Sequence, residues 1–367
     1  MLSVLFRQYN HRRSERMPMT TWKSRALAGG TVLGATLAVV GLVAYLNQDW
    51  LIDHAIRQRL SDAESHSIVN DPEQFDVVLC GTGSPEPSAA RAQACTLVSV
   101  GGKMFVFDAG EGASKSLAAS GVALADIERV FLTHLHSDHF NGLGALINQS
   151  WIWGRSQPLD VAGPTGTAEV VGALNDAYRI DNGFRTANMP DLDSKRAAAR
   201  ANPMDIVIPS QAHSVRVYDD DGVTVDAYRV VHDPVEPAFG YIIRSQGKKV
   251  FISGDTRLSP SNLPAMQDAD LVVHEAYASH LVRRAIPIMR EMGMQHDAEV
   301  AQRTIAYHAD TIELAKQAAE AGVKHLALTH LTPYPDTAIK RHMFTAGMRE
   351  YYGGTLTVGT DGLVIVV

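Results

Sequence analysis

His134, His136, Asp138 and His139 bring three imidazoles and one carboxylate within six positions, in the run from Thr133 to Leu143 that reads Thr-His-Leu-His-Ser-Asp-His-Phe-Asn-Gly-Leu. Ligands at that density imply metal, because neutral imidazole and carboxylate are side chains that hold divalent cations. Val130 to Thr133 are mostly apolar and partly β-branched, which predicts a buried strand, and residues two apart on an extended end point the same way. His134 and His136 are therefore set to grip one ion together. Asp138 and His139 fall past the strand end, where the chain turns toward a helix beginning near Asn141, and they face a different point in space. The spacing favours two ions over one.

The pattern H-x-H-x-D-H after a strand resembles the signature of the metallo-β-lactamase superfamily of dinuclear metal hydrolases. Leu79-Cys80-Gly81-Thr82-Gly83-Ser84-Pro85, Phe107-Asp108-Ala109-Gly110-Glu111-Gly112 and Ser253-Gly254-Asp255-Thr256-Arg257 narrow the likeness to its ribonuclease Z and arylsulfatase-like branch. The likeness runs from about Phe75 to the C-terminus. It implies an α/β architecture, the αββα four-layer sandwich of that superfamily. It also implies a ligand set: His134, His136 and His232 on one ion, Asp138, His139 and His330 on the other, and Asp255 bridging. His232, Asp255 and His330 each follow a predicted strand, in the family's order. Two zinc ions are expected, since imidazole with few carboxylates and no cysteine suits zinc, while manganese or iron also accept nitrogen and oxygen donors. Asp108 reads either as an acceptor for a metal-bound histidine's other N–H or as an aspartate closing a strand turn.

Two cations in such a site lower the pKa of a shared water toward neutrality and stabilise charge on the attacked group. The leaving oxygen still needs a proton. His308, in Tyr307-His308-Ala309-Asp310-Thr311, matches a histidine that contacts substrate in ribonuclease Z relatives and is the candidate general acid. Glu275 is placed to orient it, and Asp138 joins these two as a catalytic group. A helix cap by Asp310, with His308 merely nearby, is the plainer alternative.

These residues need a scaffold, and 367 residues with 46% hydrophobic content suffice for a sizeable core. Phe75–Leu79, Cys95–Val100, Met104–Phe107 and Leu159–Ala162 read as strands, as do Val223–Val231, Phe239–Ile243 and Lys249–Ser253. Helices follow the ligand run to about Trp151 and run through Tyr178. Gly81-Thr82-Gly83 reads as a tight turn; no Gly-Lys-Ser/Thr follows that would make it a phosphate loop. Residues 181–204 match the core pattern poorly and are expected to form a lid or rim. Cys80 and Cys95 read as two unlinked buried thiols in neighbouring strands, a bond between them being the alternative in an oxidising compartment.

Residues 1–25 hold six basic residues against one acid counting through 46, and 26–46 is an uncharged stretch of 21 residues, long enough to cross a bilayer as a helix. By the positive-inside rule this predicts a single-pass inner-membrane anchor with the catalytic region on the extracytoplasmic side. Residues 47–74 would then be a polar linker and 75–367 the hydrolase domain. Past the anchor 27 basic face 39 acidic residues, a balance of −12 after removal of the first 46 residues from totals of 33 and 40. Such acidity repels polyanions. Ribonuclease Z carries a projecting arm for tRNA between its third histidine and the Gly-Asp-Thr segment, whereas 22 residues separate His232 from Asp255 here. The expected partner is therefore a small ester (aryl sulfate, phosphodiester or lactone) with selectivity from His308, Trp151, Trp153 and the 181–204 rim. Nucleic acid is not expected, tRNA 3′ processing standing as the alternative function. A homodimer is compatible with this reading.

Overall fold

Strands whose every residue is apolar or shielded dominate the catalytic region, as the apolar runs in the sequence require. The computed structural model describes residues 37–65 and 71–367. The chain divides into two units, 1–65 and 66–367. In the second unit the strands are β1 Phe75–Gly81, β2 Cys95–Val100, β3 Lys103–Phe107, β4 Ile127–Phe131, β5 Leu159–Pro164, β6 Ala201–Ile206, β7 Ser214–Asp220 and β8 Val223–Arg229. They continue with β9 Phe239–Ser245, β10 Lys248–Ile252, β11 Leu271–Tyr277, β12 His325–Thr332, β13 Thr355–Val358 and β14 Leu363–Val366.

Two seven-stranded sheets result, ordered β14-β1-β2-β3-β4-β5-β6 and β13-β12-β11-β10-β9-β8-β7. In the first, β14 to β3 pair antiparallel and β3 to β6 parallel. The second repeats the scheme, with β7 to β10 antiparallel and β10 to β13 parallel. Alternation along each strand divides the side chains between layers. Phe75, Val77 and Leu79 of β1 meet Val225, Tyr241 and Val273 of the other sheet in a core between the sheets. Val78, Cys80 and Val106 pack outward on helices Ala113–Ala119 and Leu143–Ile152. On the far side Phe251, Val272 and Leu328 pack on helix Thr311–Glu320. Helix, sheet, sheet and helix are thus four layers, the sandwich expected from the sequence.

The N-terminal expectations are corrected. Residues 26–36 of the predicted span lie outside the described residues, and the helical stretch over 37–46 is followed, after one turn residue, by helix Gln48–Ser65. Among the described residues no helix is long and apolar enough to cross a membrane. Gln48–Ser65 carries Asp49, Asp53, Arg57 and Arg59, each costly in hydrocarbon. The anchor and the extracytoplasmic, inner-membrane placement built on it are therefore withdrawn. Most of the segment read as a linker is helical.

Two further readings change. Cys80 and Cys95 are joined in a disulfide, with Cα atoms 5.0 Å apart; β1 and β2 are paired neighbours, and their register shifts between Leu79 and Gly81, beside Cys80. Residues 181–204 form helices Arg179–Asn188 and Pro190–Ser194, a 3₁₀ turn and the start of β6. Leu192, Ala198 and Ala199 pack around Trp151, which is fully buried. This segment covers a tryptophan.

Candidate metal centre

The chain delivers its candidate ligands at the ends of strands, where side chains leave the sheet and converge. Beyond β4 the Leu132 N–H still bonds the Ala162 carbonyl at 2.8 Å, so His134 leaves from a fixed extended end. His136 then stands extended ahead of a four-residue helix, Ser137–Phe140. Asp138 and His139 are thus helical residues rather than part of a turn toward Asn141. After β10 comes Gly254 at φ +59, where a Cβ would lie 2.7 Å from the Phe239 carbonyl and from Thr133 Cβ. Only glycine fits there, and the close approach carries Asp255 inward. His330 is delivered by a bulge: Glu275 pairs with Thr329 and Ala276 with Leu331, leaving His330 unpaired at φ 46. Bulges re-aim a side chain in this way, and the left-handed backbone of a histidine is strain of the kind found at functional sites.

Asp255 Oδ2 sits at the centre. It lies 3.4 Å from His139 Nε2 and His330 Nε2, 3.9 Å from His232 Nε2 and 4.0 Å from His134 Nε2. His134, His136 and His232 gather with it in one group, Asp138, His139 and His330 form a second, and Asp255 and His330 also fall within reach of His308 in a third. His330 Nε2 is 3.1 Å from Asp138 Oδ2. The set is suited to cations: His139 Nε2, His232 Nε2 and Asp255 Oδ1 are buried without any hydrogen bond, a costly state for polar atoms unless an ion satisfies them.

Charge sorts the two groups. Burial holds His134, His136 and His232 below the ordinary imidazole range, leaving neutral rings with a lone pair to give. For His139 burial opposes charge, but Asp255 and Asp108 outweigh it and raise the pKa well above the ordinary value. Burial likewise works against the Asp255 carboxylate, yet His330 and His139 hold its pKa well down. Asp108 accepts from His139 Nδ1 at 2.8 Å and from the Thr133 N–H and hydroxyl at 2.8 Å each. It turns the other ring nitrogen of His139 toward the centre, as carboxylate partners of metal-bound histidines do.

Beside this set, His308 Nδ1 lies 3.0 Å from both carboxylate oxygens of Glu275. Glu275 is itself fixed, accepting from the Thr256 N–H at 2.8 Å while its own N–H donates to Ser253 Oγ at 3.0 Å. The His308 ring stacks on Tyr277, 5.6 Å away and 6° from parallel, with its Nε2 left free. Burial lowers the pKa of His308, but the Glu275 charge and hydrogen bond overcome it and carry the value to about 9. Asp310 caps helix Thr311–Glu320, accepting from Ile312 N and Glu313 N, so the cap and the His308–Glu275 pair coexist.

A cavity of about 930 Å³ opens over the set, with His136, Asp138, Asp255, His308 and His330 in its wall. Its cover comes from helices Ser279–Glu291 and Gln295–Thr304. No residue of 181–204 lines it, nor do Trp151 and Trp153; Trp151 is in the core and Trp153 is 76% exposed. The selectivity roles expected for these residues are corrected accordingly. Sequence reasoning missed the covering helices, although Leu281, Ala285 and Met289 recur every fourth residue between Glu275 and His308. His296 reaches the cavity as well.

Residues 89–287 match the family model described as the Metallo-beta-lactamase superfamily. The chain belongs to the metallo-β-lactamase superfamily. Within that superfamily it is 38% identical over 265 residues to a protein named Ribonuclease Z from Mycobacterium sp. (strain KMS), covering 71% of this chain and 85% of the relative. It is 34% identical over 290 residues to Ribonuclease Z of Mycobacterium marinum (strain ATCC BAA-535 / M), covering 78% and 96%. Among solved structures the metallo-beta-lactamase fold protein YhfI from Bacillus subtilis superposes with a TM-score of 0.58 at 19% identity, over 80% of this chain and all of that one. Human tRNase Z, short form, gives 0.55 at 23% over 79% and 98%. At those identities the structural likeness speaks for the fold alone. As a metallo-β-lactamase superfamily member with these relatives, the chain is a metal-dependent hydrolase of ester bonds.

Proposed function

We propose that this metallo-β-lactamase superfamily hydrolase is a dinuclear phosphodiesterase of the ribonuclease Z type. In this reading His134, His136 and His232 hold one ion, Asp138, His139 and His330 the other, and Asp255 bridges. Zinc suits so nitrogen-rich a donor set best, with manganese or iron as substitutes. The carrying observation is the His308–Glu275 pair at 3.0 Å, a proton donor held beside the candidate ligands.

Two divalent cations would supply Lewis acidity and ease the ionisation of a water there. The remaining steps belong to side chains. Glu275 accepts from His308 Nδ1 and keeps the ring protonated, so that Nε2 carries a proton to give. As the water oxygen forms its bond to phosphorus, its proton passes to Asp138. As the bond from phosphorus to the leaving oxygen breaks, His308 gives that oxygen a proton. A phosphomonoester and an alcohol result.

The relatives' names favour a phosphodiester over an aryl sulfate, and they put RNA 3′ ends first among diesters, against the expectation that nucleic acid is excluded. A small diester is the second reading, favoured by one observation. The 22 residues between His232 and Asp255 are taken up by a turn and by β9 and β10, which leaves no chain for an arm at that place. Zinc-loaded protein should be assayed on bis(p-nitrophenyl) phosphate, p-nitrophenyl sulfate and a precursor tRNA with a 3′ trailer. Diester hydrolysis that chelation stops and zinc restores is expected, with trailer removal choosing the first reading. Turnover of the sulfate alone would overturn the proposal.

A further inference from the structure

The covering helices leave a surface that the chemistry of the reaction does not use. Helix Ser279–Glu291 turns Leu281, Ala285 and Met289, spaced four apart and so on one face, into the cavity, and Val282 and Tyr277, which also line it, pack behind them with Ile286 and Ala298. Helix Gln295–Thr304 adds Val300 and Ala301, and Met294 stands between the two helices. These cavity-facing chains are half-buried or exposed, so apolar surface is left open beside the candidate ligands. Among the described residues lining the cavity there is no lysine or arginine, whereas Glu86 and Asp297 both reach it.

We infer that the cavity binds an uncharged aliphatic chain carried by the substrate on its scissile phosphodiester. Three observations converge on that occupant. The wall contributed by the two helices is aliphatic, and methionine, unbranched and adaptable, moulds to a flexible chain. Away from the candidate ligands and His308, a second phosphate would meet the carboxylates of Glu86 and Asp297 and no lysine or arginine, which disfavours a further negative charge on that wall. The volume of about 930 Å³ is that of a site for a drug-sized molecule, far more than a bare phosphodiester fills. The inference rests on the small-diester reading of the phosphodiesterase proposal, and efficient removal of a tRNA 3′ trailer would count against it as well.

The test uses full-length zinc-loaded protein and p-nitrophenyl n-alkyl phosphates from methyl to octyl. It adds p-nitrophenyl thymidine 5′-phosphate, and, without turnover, calorimetric binding of n-butyl and n-octyl phosphate. Burial of each methylene predicts kcat/KM rising about 4-fold per carbon until the cavity is filled, and octyl phosphate binding tighter than butyl. Met289→Gln and Met294→Gln, both at half-buried or exposed positions, should flatten that slope. Hydrolysis without dependence on chain length, or a thymidine ester outrunning the octyl ester, overturns the inference and leaves the phosphodiesterase reading intact. If no diester is hydrolysed that reading falls, and the two alkyl phosphates still decide the cavity: equal affinity refutes it.

Discussion

At the scale of single residues, Glu275 and His308 form the pair whose disturbance is most informative. Glu275 raises the affinity of His308 for its proton to about pH 9, so an acid role implies a rate that falls as pH rises through that value. Removing the carboxylate removes the cause of the rise. Glu275→Gln should therefore move the alkaline limb of the kcat profile to lower pH, and His308→Ala should cost roughly 10²- to 10⁴-fold in kcat with bound metal retained. An unshifted limb in Glu275→Gln would count against the pairing. Asp255→Ala acts on a different property. Its Oδ2 lies within 4.0 Å of four imidazoles, so loss of most bound metal and of activity together is expected by elemental analysis and assay; metal-replete, active protein would refute the bridge. The ligand run was legible because chemistry compressed four donors into six positions. His330 was legible as a ligand but not as a bulge, since its left-handed backbone depends on where β12 meets β11, a relation between segments about 55 residues apart that local pattern does not encode.

Among the elements, strands read well wherever an apolar run was bounded by glycine, proline or charge. β2 begins at Cys95 and ends at Val100 because Gly101 and Gly102, both at positive φ, turn the chain there. Helices were harder to assign a role. Leu281, Ala285 and Met289 look like ordinary core positions until the surrounding elements show that they face a cavity. Residues 181–204 failed as a lid for the complementary reason: their alanines pack on Trp151, and nothing local announces that partner. The parallel half of the second sheet is locked at one end by Asp270, which accepts from Lys249 N and Lys324 Nζ at 2.8 Å each. Burial works against the Asp270 carboxylate, but these bonds hold its pKa below the ordinary value. Its contribution is therefore present above the unfolded carboxylate's pKa and lost as pH falls through the folded one. Asp270→Asn should lower stability by roughly 1 to 2 kcal/mol at neutral pH, the low end for hydrogen bonds to a charged group, because the Lys324 side chain is largely exposed and its charge screened. Chemical denaturation at falling pH should find the gap closing, and a constant gap would contradict the assignment.

For the whole molecule, the two sheets contribute unequally yet jointly to the centre. His134 to His139 follow β4 of the first sheet, while His232, Asp255 and His330 come from the second. Neither sheet holds a complete set. The −12 balance beyond residue 46 disfavours polyanions generally, while the ribonuclease Z relatives at 34 to 38% identity share enough of the chain to make RNA the leading test. Composition alone decides neither for nor against RNA, since net charge says nothing about where a field is locally reversed.

The first sheet is also finished by a strand from the other end of the chain. β14 pairs with the outer side of β1, Val77 opposite Ile365 and Leu79 opposite Leu363. β1 is buried along its whole length, so without β14 it becomes an open, apolar edge with unpaired backbone groups, a template for another copy's strand. Trimming residues 362–367 removes no candidate ligand, yet it should convert a discrete species into self-associating material visible by light scattering. A trimmed chain that stays dispersed with unchanged melting would refute this. Proteolytic wear at one terminus would then be felt first as polymerisation, seeded by a strand almost three hundred residues away.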